Sequence, residues 1–372
     1  MSNGFGIYVH TPWCRVRCPY CAFNVFLSDT ADYARWESAI LQSWESNRGF
    51  FKGRAHSLYF GGGTPSLAPP DVIGRLIESM PLDAGAEVTL EANPGQLDTA
   101  TLHSLVRHGV NRLSVGVQTF NPAHARRLGR GHTVAQTRQL LREIPTMGLT
   151  SWSADLIFAL PDQTLAELDA DIDTLLDANP PHVSLYGLTI EPGTPFSDLT
   201  SQGKLTLPTG DLWGDMYAHI VERLSAAGLA RYEVSNFAMA GHRAVHNEQV
   251  WRGGHYAGLG PGAHGFLPTG DRTLGHAQLD EWYADPTPRR ESPTTEEAAL
   301  DMLLSTLRHV DGLPIEALHT ETQYTLNPEV IRDLCRRELI STEEHHIRLT
   351  DEAYTVADGV VRCMADALIP LA

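Results

Sequence analysis

Cys14, Cys18 and Cys21 fall within eight residues, in the run Tyr8–Cys21 that reads YVHTPWCRVRCPYC; the other two cysteines, Cys335 and Cys363, lie more than 300 positions away. C-x3-C-x2-C spacing gathers soft sulfur ligands for a metal on one loop. Three thiolates leave incomplete the four-cysteine shell of a closed structural zinc site or of an ordinary iron–sulfur cluster. A [4Fe–4S] cube held by three cysteines would present one iron open to an outside ligand, and chemistry would occur there. A zinc ion that borrows His10 as its fourth ligand is the alternative. A disulfide framework is not expected from an odd count of five cysteines with no charged-then-apolar leader ahead of the motif. Arg15 and Arg17 would favour ionised thiolates, while Trp13 and Tyr20 would shield a cluster from water.

Other chemically capable residues recur along the first half. The Gly61-Gly62-Gly63-Thr64-Pro65 turn allows a ligand to approach main-chain N–H groups closely. Glu91 and Asp155 are carboxylates in β-type surroundings, able to accept from ribose hydroxyls or to pair with an ammonium group. Gln118 adds an amide and Arg130 a cation. The run Gly258–Gly265 looks like a nucleotide loop only superficially, because Pro261 interrupts it and no capped helix follows.

These residues need elements to position them. Strands are predicted over Phe5–His10, Ser57–Phe60, Glu87–Glu91, Arg112–Val117, Trp152–Phe158 and His182–Leu188. Helices lie between them: Tyr33, Trp36, Ile40, Leu41 and Trp44 form one stripe, and Leu165, Leu168, Ile172, Leu175 and Leu176 another. Thr164 with Glu167 reads as a capping box, and Gly109 and Gly148 as helix stops. Six β–α units in series predict an α/β protein with a parallel sheet, too short to close an eight-stranded barrel and so open or partial. The candidate residues then gather at the carboxyl ends of the strands. Residues 1–235 form this unit, 236–290 read as a Gly/Pro-rich connection, and 291–372 as a smaller helical, winged-helix-like domain. In that tail a helix over Pro328–Arg337, two short strands and a helix over Asp351–Ala367 are expected.

Composition narrows the class. No apolar run reaches the ~20 residues of a membrane span. With 28 basic and 45 acidic residues the formal charge is −17, which argues against nucleic acid as a partner. Unpaired thiols and the missing leader favour a reducing, cytoplasmic setting.

The motifs C-x3-C-x2-C, GGGTP, EANPG, GVQTF, HNxxxW and GAHG, in this order over nearly the whole chain, resemble the radical S-adenosylmethionine (SAM) superfamily. Within it they resemble the oxygen-independent coproporphyrinogen III oxidase-like family, and most nearly its haem chaperone branch, HemW. The resemblance implies a partial (β/α)6 barrel of the TIM type with a winged-helix-like C-terminal domain. It implies a [4Fe–4S] cluster on Cys14, Cys18 and Cys21, with SAM on the open iron and against Tyr8, Tyr20, Gly62, Gly63, Thr64, Glu91, Gln118, Arg130 and Asp155. The decarboxylating enzymes carry a further cysteine where this chain has Phe23, so the chaperone form is implied. His246, Asn247 and Trp251 match that branch's HNxxYW motif, with Val250 in place of the tyrosine. They are the implied haem contacts, an imidazole being a suitable iron ligand. Implied partners are haem and haem-accepting respiratory proteins, with a peripheral membrane location and a cluster-bound homodimer as further expectations. The alternative is a catalytic enzyme, an oxidase or methyltransferase working through a 5′-deoxyadenosyl radical.

Overall fold

The computed structural model describes residues 4–371. Six strands alternate with helices: β1 (Phe5–Thr11), β2 (Ala55–Gly62), β3 (Leu82–Ala92), β4 (Arg112–Gln118), β5 (Ser151–Phe158) and β6 (His182–Gly187). They pair in parallel in chain order, which confirms the predicted α/β sheet. Helices α1 (Tyr33–Asn47), α2 (Pro70–Ser79), α3 (Thr99–Arg107), α4 (Pro122–Arg127), α5 (Val134–Glu143) and α6 (Leu165–Asp177) make the crossovers. Both predicted helix stops hold, with φ +108° at Gly109 and +76° at Gly148. The Thr164–Glu167 capping box forms as expected, and Thr133–Gln136 makes another.

The strands have two unlike faces. Ile7, Val9, Leu58, Phe60, Val88, Leu90, Leu113, Val115, Leu156, Val183 and Leu185 are buried in the main core. The alternate residues are Tyr8, Tyr59, Glu91, Ser114, Asp155 and Ser184, and the register sets them side by side: Tyr8 opposite Tyr59, Glu91 opposite Ser114, Asp155 opposite Ser184. Buried parallel strands are ordinarily apolar on both faces. A polar inner face, repeated over six strands, marks that face as a binding surface rather than core.

Residues 236–290, expected as a connection, are built into the sheet. After α7 (Pro195–Ser201) and α8 (Gly210–Ala226), β8 (Asn236–Ala238) pairs antiparallel to β6, and β7 (Ala230–Glu233) pairs antiparallel to β8 at the edge. Helix α9 (Val245–Trp251) follows, then β9 (Tyr256–Leu259) runs parallel to β1 on the other edge. Strands β10 (His264–Phe266), β11 (Arg272–Leu274) and β12 (Arg289–Glu291) complete a twelve-stranded open sheet. Local turn chemistry masked these pairings, which long-range contacts decide.

The tail contains the predicted helix, Pro328–Arg336, and strands Ile340–Glu343 and His346–Leu349, joined by Leu313–Pro314 into a three-stranded sheet. The predicted last helix begins as a 3-10 turn, Glu352–Val356, before Ala357–Ala365. This module is continuous with the main core through Leu303, Leu307, Leu334 and Tyr354. The Val234 N–H donates to the Arg308 carbonyl at 3.0 Å, and the Val310 N–H to that of Tyr232 at 3.1 Å. No helix among the described residues is long and apolar enough to cross a membrane.

Candidate functional site

The cysteine loop leaves the end of β1 and is fastened on several sides. The Gly63 N–H donates to the Thr11 carbonyl at 2.7 Å and the Thr64 N–H to that of Trp13 at 2.8 Å. A Cβ on Gly63 would stand 2.5 Å from the Trp13 oxygen, so glycine is required where this strand end meets the loop. The Asn24 amide donates to the carbonyls of Pro261 (3.0 Å) and Ala277 (2.9 Å), tying the far end of the loop to the β9 side. His10 holds the Tyr8 hydroxyl at Nδ1 (3.0 Å) and the Asn24 carbonyl at Nε2 (2.8 Å). Both ring nitrogens are therefore engaged, which removes His10 as a fourth zinc ligand. Among the described residues no three His, Cys, Asp or Glu side chains converge to hold a single ion. Thiolates that each take a separate iron do not need to.

The thiols are partly buried and unpaired. Burial pushes Cys14 and Cys21 up from the usual thiol range; the Thr64 hydroxyl opposes this at Cys14, and the Phe23 N–H at Cys21. A chain of hydrogen bonds links two of them. Thr64 Oγ1 donates to Cys14 Sγ at 3.5 Å and accepts from Asn93 Nδ2 at 3.0 Å. Asn93 Oδ1 in turn accepts from Arg130 Nη2, which also reaches the Gly116 carbonyl at 2.7 Å. Arg130 Nη1 lies 3.6 Å from Cys18 Sγ and 3.4 Å from the Tyr20 hydroxyl. Donors aimed at sulfur stabilise thiolate and raise a cluster's potential, so this donor set fits an iron–sulfur group. Asn93 is the residue sequence reasoning missed: it stands inside the EANPG motif, yet only the folded chain shows it joining Thr64 to Arg130.

Glu91 and Asp155 come together on the inner face. Glu91 Oε1 accepts from the Tyr59 hydroxyl at 2.8 Å and Oε2 from the Gly62 N–H at 3.1 Å. Asp155 accepts from Ser114 Oγ at 2.5 Å and Ser153 Oγ at 2.6 Å. Gln118, last in β4, takes φ +68°, which turns the chain at this rim. Burial pushes the Glu91 carboxyl from 4.5 to about 7, with Tyr59 opposing and the Asp155 charge adding to the rise. Burial also raises Asp155, against its serine donors. An acid whose folded pKa is raised loses stability as pH climbs from the unfolded to the folded value. The ligand-free chain is expected to lose up to roughly 3 kcal/mol between pH 4.5 and about 7 through Glu91. Urea midpoints across this range should fall in the wild type and stay flatter in Glu91→Gln; parallel curves would assign the effect elsewhere.

The cysteine loop, the glycine turn and the paired carboxylates thus share the carboxyl ends of β1 to β5. Residues 8–175 match the radical SAM superfamily. The chain is 32% identical to the haem chaperone HemW of Lactococcus lactis over 95% of both chains. The chain belongs to the HemW branch of the radical SAM superfamily. It is also 37% identical to HemW of Escherichia coli (strain K12), over 70% of this chain and 69% of that one. The coproporphyrinogen III oxidase of Escherichia coli, a radical SAM enzyme, superposes with a TM-score of 0.82 at 21% identity, covering 97% of this chain and 90% of that one. That likeness confirms the fold, a partial barrel of radical SAM type.

Membership implies a [4Fe–4S] cluster and SAM. When bound, such a cluster would supply one-electron chemistry toward SAM. We propose that Cys14, Cys18 and Cys21 would hold the cluster, and that SAM would lie against Gly62, Gly63 and Thr64 on the glycine turn, Glu91, Gln118 and Asp155 at strand ends, and Tyr8, Tyr20 and Arg130. Arg130 positions Cys18 and Tyr20 together, and Tyr59 with the Gly62 N–H orients Glu91.

His246, Asn247 and Trp251 lie elsewhere, on α9 at the amino ends of the strands. Glu87 caps this helix, accepting from the Val245 N–H at 3.0 Å and the His246 N–H at 3.1 Å. His246 is buried, with Nδ1 2.9 Å from Ser57 Oγ and its ring among Tyr59, Tyr8 and Tyr256. Burial pushes its pKa down to about 3, leaving a neutral imidazole at pH 7. The Trp251 ring lies 5.9 Å from that of Tyr232. The fold does not bring these residues to the cysteine loop; they close the opposite end of the inner face.

Proposed function

We propose that this chain is a haem chaperone: it holds a [4Fe–4S] cluster and SAM at the carboxyl ends of its strands, binds haem as cargo, and delivers it to respiratory haem proteins. The observation that carries this reading is the likeness, over 95% of both chains, to a relative named for haem chaperone function. Phe23 supports it, standing exposed where the decarboxylating enzymes of the family have a cysteine. In this reading His246 is the haem ligand through Nε2, its Nδ1 being held by Ser57, the arrangement in which a second partner fixes an imidazole's tautomer. Titration with haemin is expected to give a saturable Soret change in the wild type, weakened at least about tenfold in His246→Ala as an iron–nitrogen bond is lost. Unchanged binding in the variant would move the ligand elsewhere. An unsaturable Soret response in the wild type would end the chaperone reading.

The intact set of inner-face carboxylates favours a second reading, a catalytic radical enzyme. Substrate-dependent 5′-deoxyadenosine in anaerobic turnover would establish it, and its absence would remove it.

A further inference from the structure

Strands β5 and β6 alternate polar and apolar residues, Ser153-Ala154-Asp155 beside His182-Val183-Ser184, and the register sets Ser153 opposite His182. Side chains two apart on a strand share a face, so Ser153, Asp155 and His182 meet on the inner face. There they form one line of hydrogen bonds. Asp155 Oδ1 is 2.6 Å from Ser153 Oγ, Ser153 Oγ is 3.0 Å from His182 Nδ1, and His182 Nε2 is 2.7 Å from the hydroxyl of Tyr232 on β7. The Tyr232 oxygen accepts from the Ala244 N–H at 3.2 Å, and Ala244 is the residue that precedes α9. Ser153, His182, Tyr232 and Ala244 are buried, and Asp155, at the head of the line, is half-buried.

The two ends of the line dictate where its protons lie. A backbone N–H can only donate and a carboxylate can only accept. Tyr232 receives the Ala244 N–H and has one proton of its own, for which His182 Nε2 is the acceptor. Burial, with the Arg112 charge adding to it, pushes His182 well below its usual range, so the ring is neutral and carries a single proton. With Nε2 accepting, that proton sits on Nδ1 and is donated to Ser153. Ser153 gives its own proton to Asp155, the charged and closer acceptor; Ser184 Oγ stands 3.3 Å away. Four successive donors thus point one way, and bonds aligned like this polarise one another. Asp155 takes Ser153 on Oδ1 and Ser114, at 2.5 Å, on Oδ2. A carboxylate has about four acceptor sites, so each oxygen keeps a site for a ligand while its plane is already fixed.

We propose that His182, held in one tautomer by Tyr232, is a positioning residue: through Ser153 it fixes the orientation of the Asp155 carboxylate for a donor group of SAM. The proposal rests on the reading that places SAM against Asp155. His182 touches no ligand in it and acts only through Ser153, as outer partners orient the groups that do the binding.

The test uses the full chain and the variants His182→Leu, His182→Asn and Tyr232→Phe. SAM affinity is read by equilibrium dialysis after anaerobic reconstitution, with iron and sulfide content expected at the wild-type level throughout. His182→Leu should bind SAM roughly tenfold more weakly, since the bond to a charged acceptor loses its support. His182→Asn should stay within about threefold of the wild type, because its amide nitrogen stands where Nδ1 stood and donates to Ser153 in its place. In the unloaded chain, nitrogen-15 spectra of labelled histidines should show His182, identified by its loss in His182→Asn, protonated at Nδ1. Tyr232→Phe should populate both tautomers. Equal SAM affinity in His182→Leu and the wild type would overturn the proposal. Equal loss in His182→Leu and His182→Asn would also overturn it, by showing that the ring only packs, and so would a wild-type proton on Nε2. Should His182→Leu fail to fold, the spectra decide: the same single tautomer in Tyr232→Phe as in the wild type would overturn the proposal. A wild type that assembles its cluster and binds no SAM ends the reading of Asp155 as a SAM contact, while the imidazole spectra of the unloaded chain still report on the line that orients it.

Discussion

Cys18→Ala is expected to fold normally and to retain almost no cluster after anaerobic reconstitution. Each of the three thiolates is assigned one iron, so losing one leaves the cube two attachments on a partly exposed loop. Loss of partners that only orient a ligand commonly costs 10–100-fold in metal affinity, and loss of the ligand itself is expected to exceed about 100-fold. The loop should survive because its fastenings lie outside the thiol: Trp13 is buried in the core, and Asn24 is anchored on Pro261 and Ala277. Arg130 keeps its bonds to Asn93 and Gly116. Far-ultraviolet circular dichroism and the urea midpoint of the unloaded chain should therefore match the wild type while iron and sulfide per chain collapse. A variant that still binds four irons with their sulfides would refute the assignment of Cys18.

Arg112→Met is expected to be the most destabilising single change at the amino ends of the strands, at about 3–5 kcal/mol. Arg112 opens β4 and is 2% exposed, with Nε 3.7 Å from Glu87 Oε2. Glu87 holds the first two N–H groups of α9, which carries His246. The guanidinium also acts beyond its partner, pulling the Asp155 carboxyl down and pushing buried His182 further below its usual range. Removing the cation leaves the largely enclosed Glu87 carboxylate without its counter-charge, an arrangement that is costly. The urea midpoint should drop at unchanged slope. The double variant Arg112→Met/Glu87→Gln should recover a large part of the loss, because replacing both members of a buried pair removes the stranded charge. A loss below about 1 kcal/mol in the single variant would show that the pair contributes little.

The polar inner face was legible in principle. Each parallel strand alternates an apolar residue with a polar or small one, as in Gly6-Ile7-Tyr8-Val9-His10 and Ser153-Ala154-Asp155-Leu156. Period-two alternation is usually read as one face in water. Here it marks an interior reserved for ligands, and reading it that way would have singled out Tyr59, Ser114 and Ser153 beside the carboxylates. Asn93 had no such signal, because its bonds to Thr64 and Arg130 cross 29 and 37 positions of sequence.

The amino-acid order alone determined the three-thiol loop, the parallel β–α succession, the helix caps and stops, and the kinship to radical SAM proteins. These rest on spacing and on interactions within a few residues. Only the tertiary structure decided that His10 is engaged by Tyr8 and Asn24, that residues 236–290 belong to the main sheet, and that His246 closes the end away from the cysteines. Those outcomes depend on which distant segments share a limited interior, and burial there fixes both the partners of a polar group and its charge.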